Sequence, residues 1–149
     1  MKRFGVALQI QAPAARIWSI LTDAASYPRW NTTVSKVDGT IAPGEKIALH
    51  VRINPGRAFP VRVSVFEPPH RMLWTGGMPL GMFKGERTFR LAPQPGGSVE
   101  FSMVEEFTGL LEPLISKSIP NLQPAFDEFA LCLKREAERQ EGAADSTGN

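Results

Sequence analysis

The chain of 149 residues has little of what usually holds a small protein together by covalent bonds or metal. Cys132 is the only cysteine, so no intramolecular disulfide can form and a reducing compartment is the natural setting. It falls in a helical segment and reads as a small buried thiol. The only histidines are His50 and His70, and neither stands at ligand spacing from the cysteine, which argues against a structural zinc site. No Gly-x-Ser-x-Gly elbow, glycine-rich phosphate loop or dinucleotide fingerprint is found, so no cofactor is expected. Long hydrophobic runs are also missing. Nothing approaches the ~20 apolar residues of a membrane span. Met1-Lys2-Arg3 followed by Phe4 to Ile10 is too short for a signal peptide and is interrupted by Gln9, Gln11 and Pro13. The chain reads as cytoplasmic, without integral membrane association. Its charge is nearly balanced, with 17 basic against 15 acidic residues and a net charge of +2. With no Lys/Arg cluster behind the calculated pI, nucleic acid is not an expected partner.

What the chain does have is one long apolar stripe. From Gly109 to Arg139, the residues Leu111, Ile115, Ile119, Leu122, Phe126, Phe129 and Leu133 recur at intervals of three or four, the period of a helix. A stripe of that length has to be covered, and the only partner available is the set of strand-like runs before it. Pro120 and Pro124 interrupt the stripe, and a proline inside a helix costs ~3 kcal/mol. The spacing therefore predicts a short helix at Leu110–Lys117, a kink near Ser118-Ile119, and a longer helix from about Pro120 with Pro124 in its first turn. Gly142 to Asn149 has nothing to bury and reads as a disordered tail after a single domain over 1–141.

The runs before this stripe alternate with turn chemistry. Phe4 to Ile10 has the period of a half-buried strand. Pro13 then fits the first turn of a helix over Ala14–Leu21, and Tyr27, which precedes Pro28, is expected to leave the helical region. Strands are predicted at Thr33–Val37, Lys46–Ile53, Phe59–Phe66, Arg71–Thr75, Phe83–Leu91 and Val99–Phe107. They are broken at Asp38-Gly39, Asn54-Pro55-Gly56, Pro68-Pro69, Gly76-Gly77 and Pro93–Gly97. Short turns imply antiparallel neighbours. The expected class is α+β: a seven-stranded curved antiparallel sheet gripping a long kinked C-terminal helix, with two short helices between the first two strands.

Particular residues carry a family resemblance. Ala12-Pro13-Ala14 precedes Ile17-Trp18, and Leu21-Thr22-Asp23 is followed by Tyr27-Pro28-Arg29-Trp30-Asn31. Gly44-Glu45 precedes the third strand, and Glu67-Pro68-Pro69-His70-Arg71 leads to Trp74. Glu105-Glu106-Phe107-Thr108-Gly109-Leu110-Leu111 enters the last helical region. In this order the chain resembles the helix-grip fold of the START-like, Bet v 1-like superfamily, which includes polyketide cyclase/dehydratase and lipid-transfer proteins. The resemblance covers about residues 3 to 139. It implies a hydrophobic cavity between sheet and helix, and a small hydrophobic molecule such as a lipid or polyketide as the partner.

The residues suggest what would line such a cavity. On the last strand Val99, Phe101, Met103, Glu105 and Phe107 share the more apolar face and are expected to point inward. Trp30 and Trp74 suit pocket lining and ordinary packing equally, whereas Trp18 reads as core. Phe83 and Phe89, with Met72, Met78 and Met82, offer an adaptable wall, and the segment Met78–Met82 reads as a loop at the mouth or an exposed hairpin. From the helical region, Leu111, Leu114, Ile115, Leu122, Phe126 and Phe129 are candidates to touch a ligand. A catalytic reading needs convergent polar groups, and the weak candidates are Glu105, His50 and Arg52. The strand arginines Arg52, Arg57, Arg62, Arg71, Arg87 and Arg90 read mostly as outward positions. Three functions compete. The first is ligand binding without chemistry. The second is a cyclase/dehydratase-like enzyme in which Glu105, His50 or Arg52, at least two of them converging on one cavity point, position and protonate the substrate. The third is a co-chaperone-like or quinone-associated interaction module.

Overall fold

A computed structural model describes residues 2–147, with side chains through Arg139. The tail expected over 142–149 falls on residues whose side chains or placement lie outside that description. Strand β1 (Lys2–Ile10) is followed by helix α1 (Ala14–Thr22), a 3-10 turn at Ala24–Ser26 and helix α2 (Tyr27–Trp30). Six strands come next: β2 (Val34–Asp38), β3 (Lys46–Val51), β4 (Ala58–Glu67), β5 (Arg71–Met78), β6 (Phe83–Pro93) and β7 (Val99–Thr108). The C-terminal region holds α3 (Glu112–Ile115), a 3-10 turn at Ser116–Ser118 and α4 (Gln123–Thr147).

The seven strands form one antiparallel sheet in the order β1-β7-β6-β5-β4-β3-β2, so the first strand pairs with the last and every other pair is a sequence neighbour. Helices α1 and α2 occupy the long connection from β1 at one edge to β2 at the other. Among the described residues this is the architecture the turn chemistry and the C-terminal stripe predict.

Several boundaries differ by a residue or two, the short helix expected at Leu110–Lys117 is confined to Glu112–Ile115 and a 3-10 turn, and three further differences are informative. Tyr27 is helical, with φ −53° and ψ −44°, despite the proline after it. Its ring is wholly buried against Trp30 at 4.7 Å, and its hydroxyl donates to the Leu21 carbonyl at 2.7 Å, so packing outweighs the local bias against helix. Helix α4 starts at Gln123 rather than Pro120, which leaves Pro120 in the connection and Pro124 in the first turn, where a missing N–H costs least. Strand β5 continues through Gly76 and Gly77 to Met78, past the glycines expected to end it.

The core is built around Phe129 of α4. Its ring stacks on Phe101 of β7 at 6.4 Å and meets Phe89 of β6 at 6.1 Å, Trp30 at 5.8 Å and Tyr27 at 6.3 Å. Trp74 of β5 packs on Phe89 at 4.6 Å. These rings fill one end of the grip, where β5 and β7 begin and β6 ends. Beyond them, toward the opposite end of the same strands, the sheet and helix stand apart.

Candidate functional site

The inward face can be followed along each strand. On β7, Val99, Phe101 and Met103 are buried, and Glu105 and Phe107 come after them. On β6, Leu91 and Phe89 are buried, and Arg87, Gly85 and Phe83 continue the same face toward the other end. On β5, Met72 and Trp74 are buried, and Gly76 and Met78 follow. The alternation is the two-residue period of a strand. The inner face therefore changes character partway along: a packed ring cluster at one end, then two glycines and a charged pair before Phe83, Phe107 and Met78 at the far end. Gly76 and Gly85 are directly opposed in the β5–β6 ladder, so two adjacent wall positions carry no side chain.

The result is a cavity of about 940 Å³ between the sheet and the C-terminal region. That volume lies within the range of small-molecule pockets, roughly 300–1,000 Å³. Its walls are Leu49 and Val51 of β3, Phe59 and Val61 of β4, and the β5, β6 and β7 residues just named; Ile115, Ile119, Leu122, Ala125, Phe126 and Phe129 close the other side. Thr32, Thr33, Arg52, Asn54, Arg57 and Glu128 supply most of the remaining polar lining. The start of β2 beside them is fixed by Asn31, whose Oδ1 accepts from the N–H groups of Thr33 at 2.8 Å and Val34 at 3.0 Å.

One ion pair stands on this otherwise apolar wall. Arg87 and Glu105 are opposed in the β6–β7 ladder, and Arg87 Nη2 lies 3.4 Å from Glu105 Oε2. Their side chains are only 13% and 15% exposed. The guanidinium also lies over the Phe126 ring, 4.8 Å from its centre, which joins sheet to helix through a cation–π contact. Arg87 is thus not the outward residue that strand arginines usually are. The signal was present in the sequence: Phe83, Arg87, Phe89 and Leu91 share one parity, so an inward Phe89 carries Arg87 inward with it.

The sequence candidates divide clearly. Phe83, Met103, Glu105, Ile115, Leu122 and Phe126 line the cavity. Trp30, Trp74, Phe89 and Phe101 do not; they are buried in the ring cluster that plugs the other end. Leu111 and Leu114 are also outside the lining, and Leu114 is exposed on α3. Residues that sequence reasoning left out of the lining include Val51, Phe59 and Val61, whereas Phe107 and Phe129, expected inward or at the ligand, do line it. Arg52 lines the cavity as Glu105 does, but His50 does not, because it lies on the opposite strand parity from Leu49 and Val51. His50 Nε2 instead meets Asp38 Oδ2 at 2.8 Å. Hydrogen bonds from His50, and next from Lys36, hold the Asp38 carboxyl below its ordinary range. Tyr27 is also outside the cavity, and burial pushes its phenol well above its usual range, so it remains protonated. Among the described residues no group of three or more His, Cys, Asp or Glu side chains is placed to hold a metal, and no helix is long and apolar enough to cross a membrane.

A cavity between a curved sheet and the C-terminal helix is the geometry the resemblance implies; the plug of rings at one end is what the structure adds. A family model described as polyketide cyclase / dehydrase and lipid transport matches residues 1–138. The chain belongs to that family. Solved structures similar to this member of the family share its fold at low identity. A hypothetical protein from Helicobacter pylori has a TM-score of 0.74 at 13% identity, over 91% of this chain and 88% of its own. A START superfamily protein from Mycobacterium smegmatis has a TM-score of 0.66 at 16% identity, over 93% and 98%. The Zhui aromatase/cyclase from a Streptomyces species has a TM-score of 0.68 at 14% identity, over 93% and 94%. At these identities the likeness is one of fold. Comparison of the sequence with curated proteins finds no match.

Proposed function

We propose that this family member binds a small lipophilic molecule, such as a lipid or an aromatic polyketide, in the cavity between its sheet and α4, and holds it without transforming it. The observation that carries this reading is the division of the inward face: a closely packed ring cluster where the grip is solid, and the opposed Gly76 and Gly85 among apolar and aromatic side chains that stand apart around about 940 Å³ of space where it is not. A fold under pressure only for stability would fill that space, since empty volume lined by apolar atoms costs contacts on every side. The Arg87–Glu105 pair gives the sheet wall a polar spot toward which a hydroxyl or carbonyl of an otherwise apolar ligand can be directed. Fold likeness to a START protein and to an aromatase/cyclase supports the cavity and leaves the choice of ligand to measurement.

The competing enzymatic reading needs at least two of Glu105, Arg52 and His50 within hydrogen-bond reach of one cavity point, and Glu105 is already engaged by Arg87 at 3.4 Å. Glu105 and Arg52 share the cavity, whereas His50 pairs with Asp38 away from it. Binding is therefore the better supported reading. The test is thermal denaturation against a panel of fatty acids, sterols and aromatic polyketides. A ligand present at a hundred times its Kd adds ~2.7 kcal/mol to stability. For a chain of this size that is a rise in Tm of about 5–10 °C. No rise with any member of the panel would count against the proposal.

A further inference from the structure

The antiparallel order brings the β3–β4 turn, the β5–β6 turn and the segment after β7 to one end of the sheet. The ladder contacts His50 with Ala58, Met78 with Phe83 and Lys84 with Thr108 place them there. The Leu110 N–H then donates to the Gly81 carbonyl at 3.1 Å, which joins two of the three segments directly. This is the hollow end of the grip. Six large apolar side chains stand exposed among the described residues, and five of them, Ile53, Met78, Leu80, Leu110 and Leu114, lie on these three segments. The sixth, Leu131, is elsewhere on α4. Ile53 and Met78 also line the cavity, so the exposed patch continues the cavity wall out to the surface.

Leu80 is the most telling of the five. It is 96% exposed and has φ +61°, and the next residue, Gly81, has φ +70°. The Met82 N–H donates to the Pro79 carbonyl at 3.3 Å, so Leu80 and Gly81 are the central residues of a tight turn with positive φ at both. Asn-Gly is the pair favoured in such turns, because asparagine tolerates the left-handed region and a polar side chain belongs in water. Leucine is the poorer choice on both counts. Its presence there is not explained by folding.

The exposed charges on these three segments have one sign. Arg52, Arg57 and Lys117 are exposed on these segments, and Lys84 is balanced by Glu86 at 3.1 Å. The only acidic residue on them, Glu112, is buried and accepts a hydrogen bond from Ser116 Oγ at 2.8 Å. We infer that this rim docks on the surface of a lipid bilayer bearing anionic headgroups, with Leu80, Leu110 and Leu114 inserted and Arg52, Arg57 and Lys117 facing the headgroups. Apolar loop tips flanked by cations, with no acid presented beside them, fit an anionic interface better than the polar surface of a soluble partner. This rests on the proposed cavity function for its purpose, since a lipophilic cargo passes most easily from bilayer to cavity when the mouth sits on the membrane.

The experiment is co-sedimentation of the ligand-free full chain with phosphatidylcholine vesicles, with and without phosphatidylglycerol. Sedimentation reads docking and the thermal panel reads cargo binding, so a failure here leaves the cavity reading standing, and a failure of cargo binding leaves this one standing. Binding is expected to the anionic vesicles, to be weaker to phosphatidylcholine alone, and to fall as salt is raised. Leu80→Asn should keep or raise the Tm, because asparagine suits the turn, while lowering vesicle affinity roughly tenfold. Arg52→Gln and Arg57→Gln should each lower it about fivefold. No binding to anionic vesicles would overturn the inference, as would equal binding by Leu80→Asn. Concentration-dependent dimers that Leu80→Asn abolishes, without vesicle binding, would assign the patch to a second copy of the chain and overturn it equally.

Discussion

Removing one partner of the cavity-wall ion pair should cost far more than removing both. Arg87 and Glu105 are each roughly six-sevenths shielded by their side-chain exposures of 13% and 15%, and they meet at a single contact of 3.4 Å. In Arg87→Met the carboxylate loses its ion-pair partner on the cavity wall, and Phe126 loses the guanidinium over its ring. Stranding a fully buried charge costs ~3–5 kcal/mol, and the residual exposure and open cavity reduce that here to about 2–3 kcal/mol. For a chain of this length the Tm should fall by about 5–10 °C. Glu105→Met strands the arginine with a smaller expected loss of about 1–2 kcal/mol, because a long cationic side chain can turn its head toward the cavity mouth. The double variant carries neither charge and should lie within about 1 kcal/mol of the parent, since apolar replacements of a buried pair are often neutral or stabilising. Urea denaturation of all four proteins gives the coupling energy directly, provided the m-values agree. Two additive single effects, each below about 0.5 kcal/mol, would refute the reasoning and show the pair to be solvated like a surface bridge.

Other expectations follow from the same geometry. Phe129→Ala removes the ring on which Phe101, Phe89, Trp30 and Tyr27 converge and should cost ~3–5 kcal/mol in chemical denaturation. Gly85→Ala places a methyl 3.2 Å from the Phe107 ring, so the ring must shift; ligand affinity should change more than stability, read by titration beside a thermal melt. His50→Gln should leave ligand affinity unchanged, because that ring stands outside the cavity, and a large loss would revive the catalytic reading. Asp38→Asn tests the lowered carboxyl on that outer face. A depressed acid contributes stability above its unfolded pKa, here near 3.8, and loses it as pH falls through the lower folded value. The parent and Asp38→Asn curves should therefore differ at neutral pH and converge in acid.

The strands were legible because turn chemistry separates them: Asp38-Gly39, Asn54-Pro55-Gly56 and Pro68-Pro69 each stand at or beside a strand end. The C-terminal stripe was legible from its period, and the two prolines correctly implied a break before the main helix. Gly76-Gly77 misled because glycine was read as punctuation, whereas in β5 the pair carries the strand onward and Gly76 leaves the wall bare. Gly77 has φ +130°, and a Cβ there would lie 2.4 Å from the Phe83 carbonyl oxygen, so only glycine fits. For the site, the parity of β7 was correct and the depth was not. Periodicity says which face a residue takes, but it does not say whether that stretch of the face is packed or hollow. Trp74, Phe89 and Phe101 have the inward parity of Met103 and Glu105 and still belong to the plug, because α4 and α2 close on them there. Leu111 and Leu114 have helical spacing, but α3 is a single short turn that does not lay that stripe along the sheet. Arg87 was missed because its residue type was weighed above its parity.

The central claim is that the space between sheet and α4 holds a lipophilic molecule. Native mass spectrometry of the parent protein and of Ala125→Trp, each incubated with the lipid and polyketide panel, tests it most directly. Ala125 lines the cavity from α4, and an indole there occupies space a ligand would need. A one-to-one adduct on the parent that is lost in Ala125→Trp, with the fold preserved by circular dichroism, is the predicted result. No adduct on the parent, or an adduct equally retained by the filled variant, would contradict it.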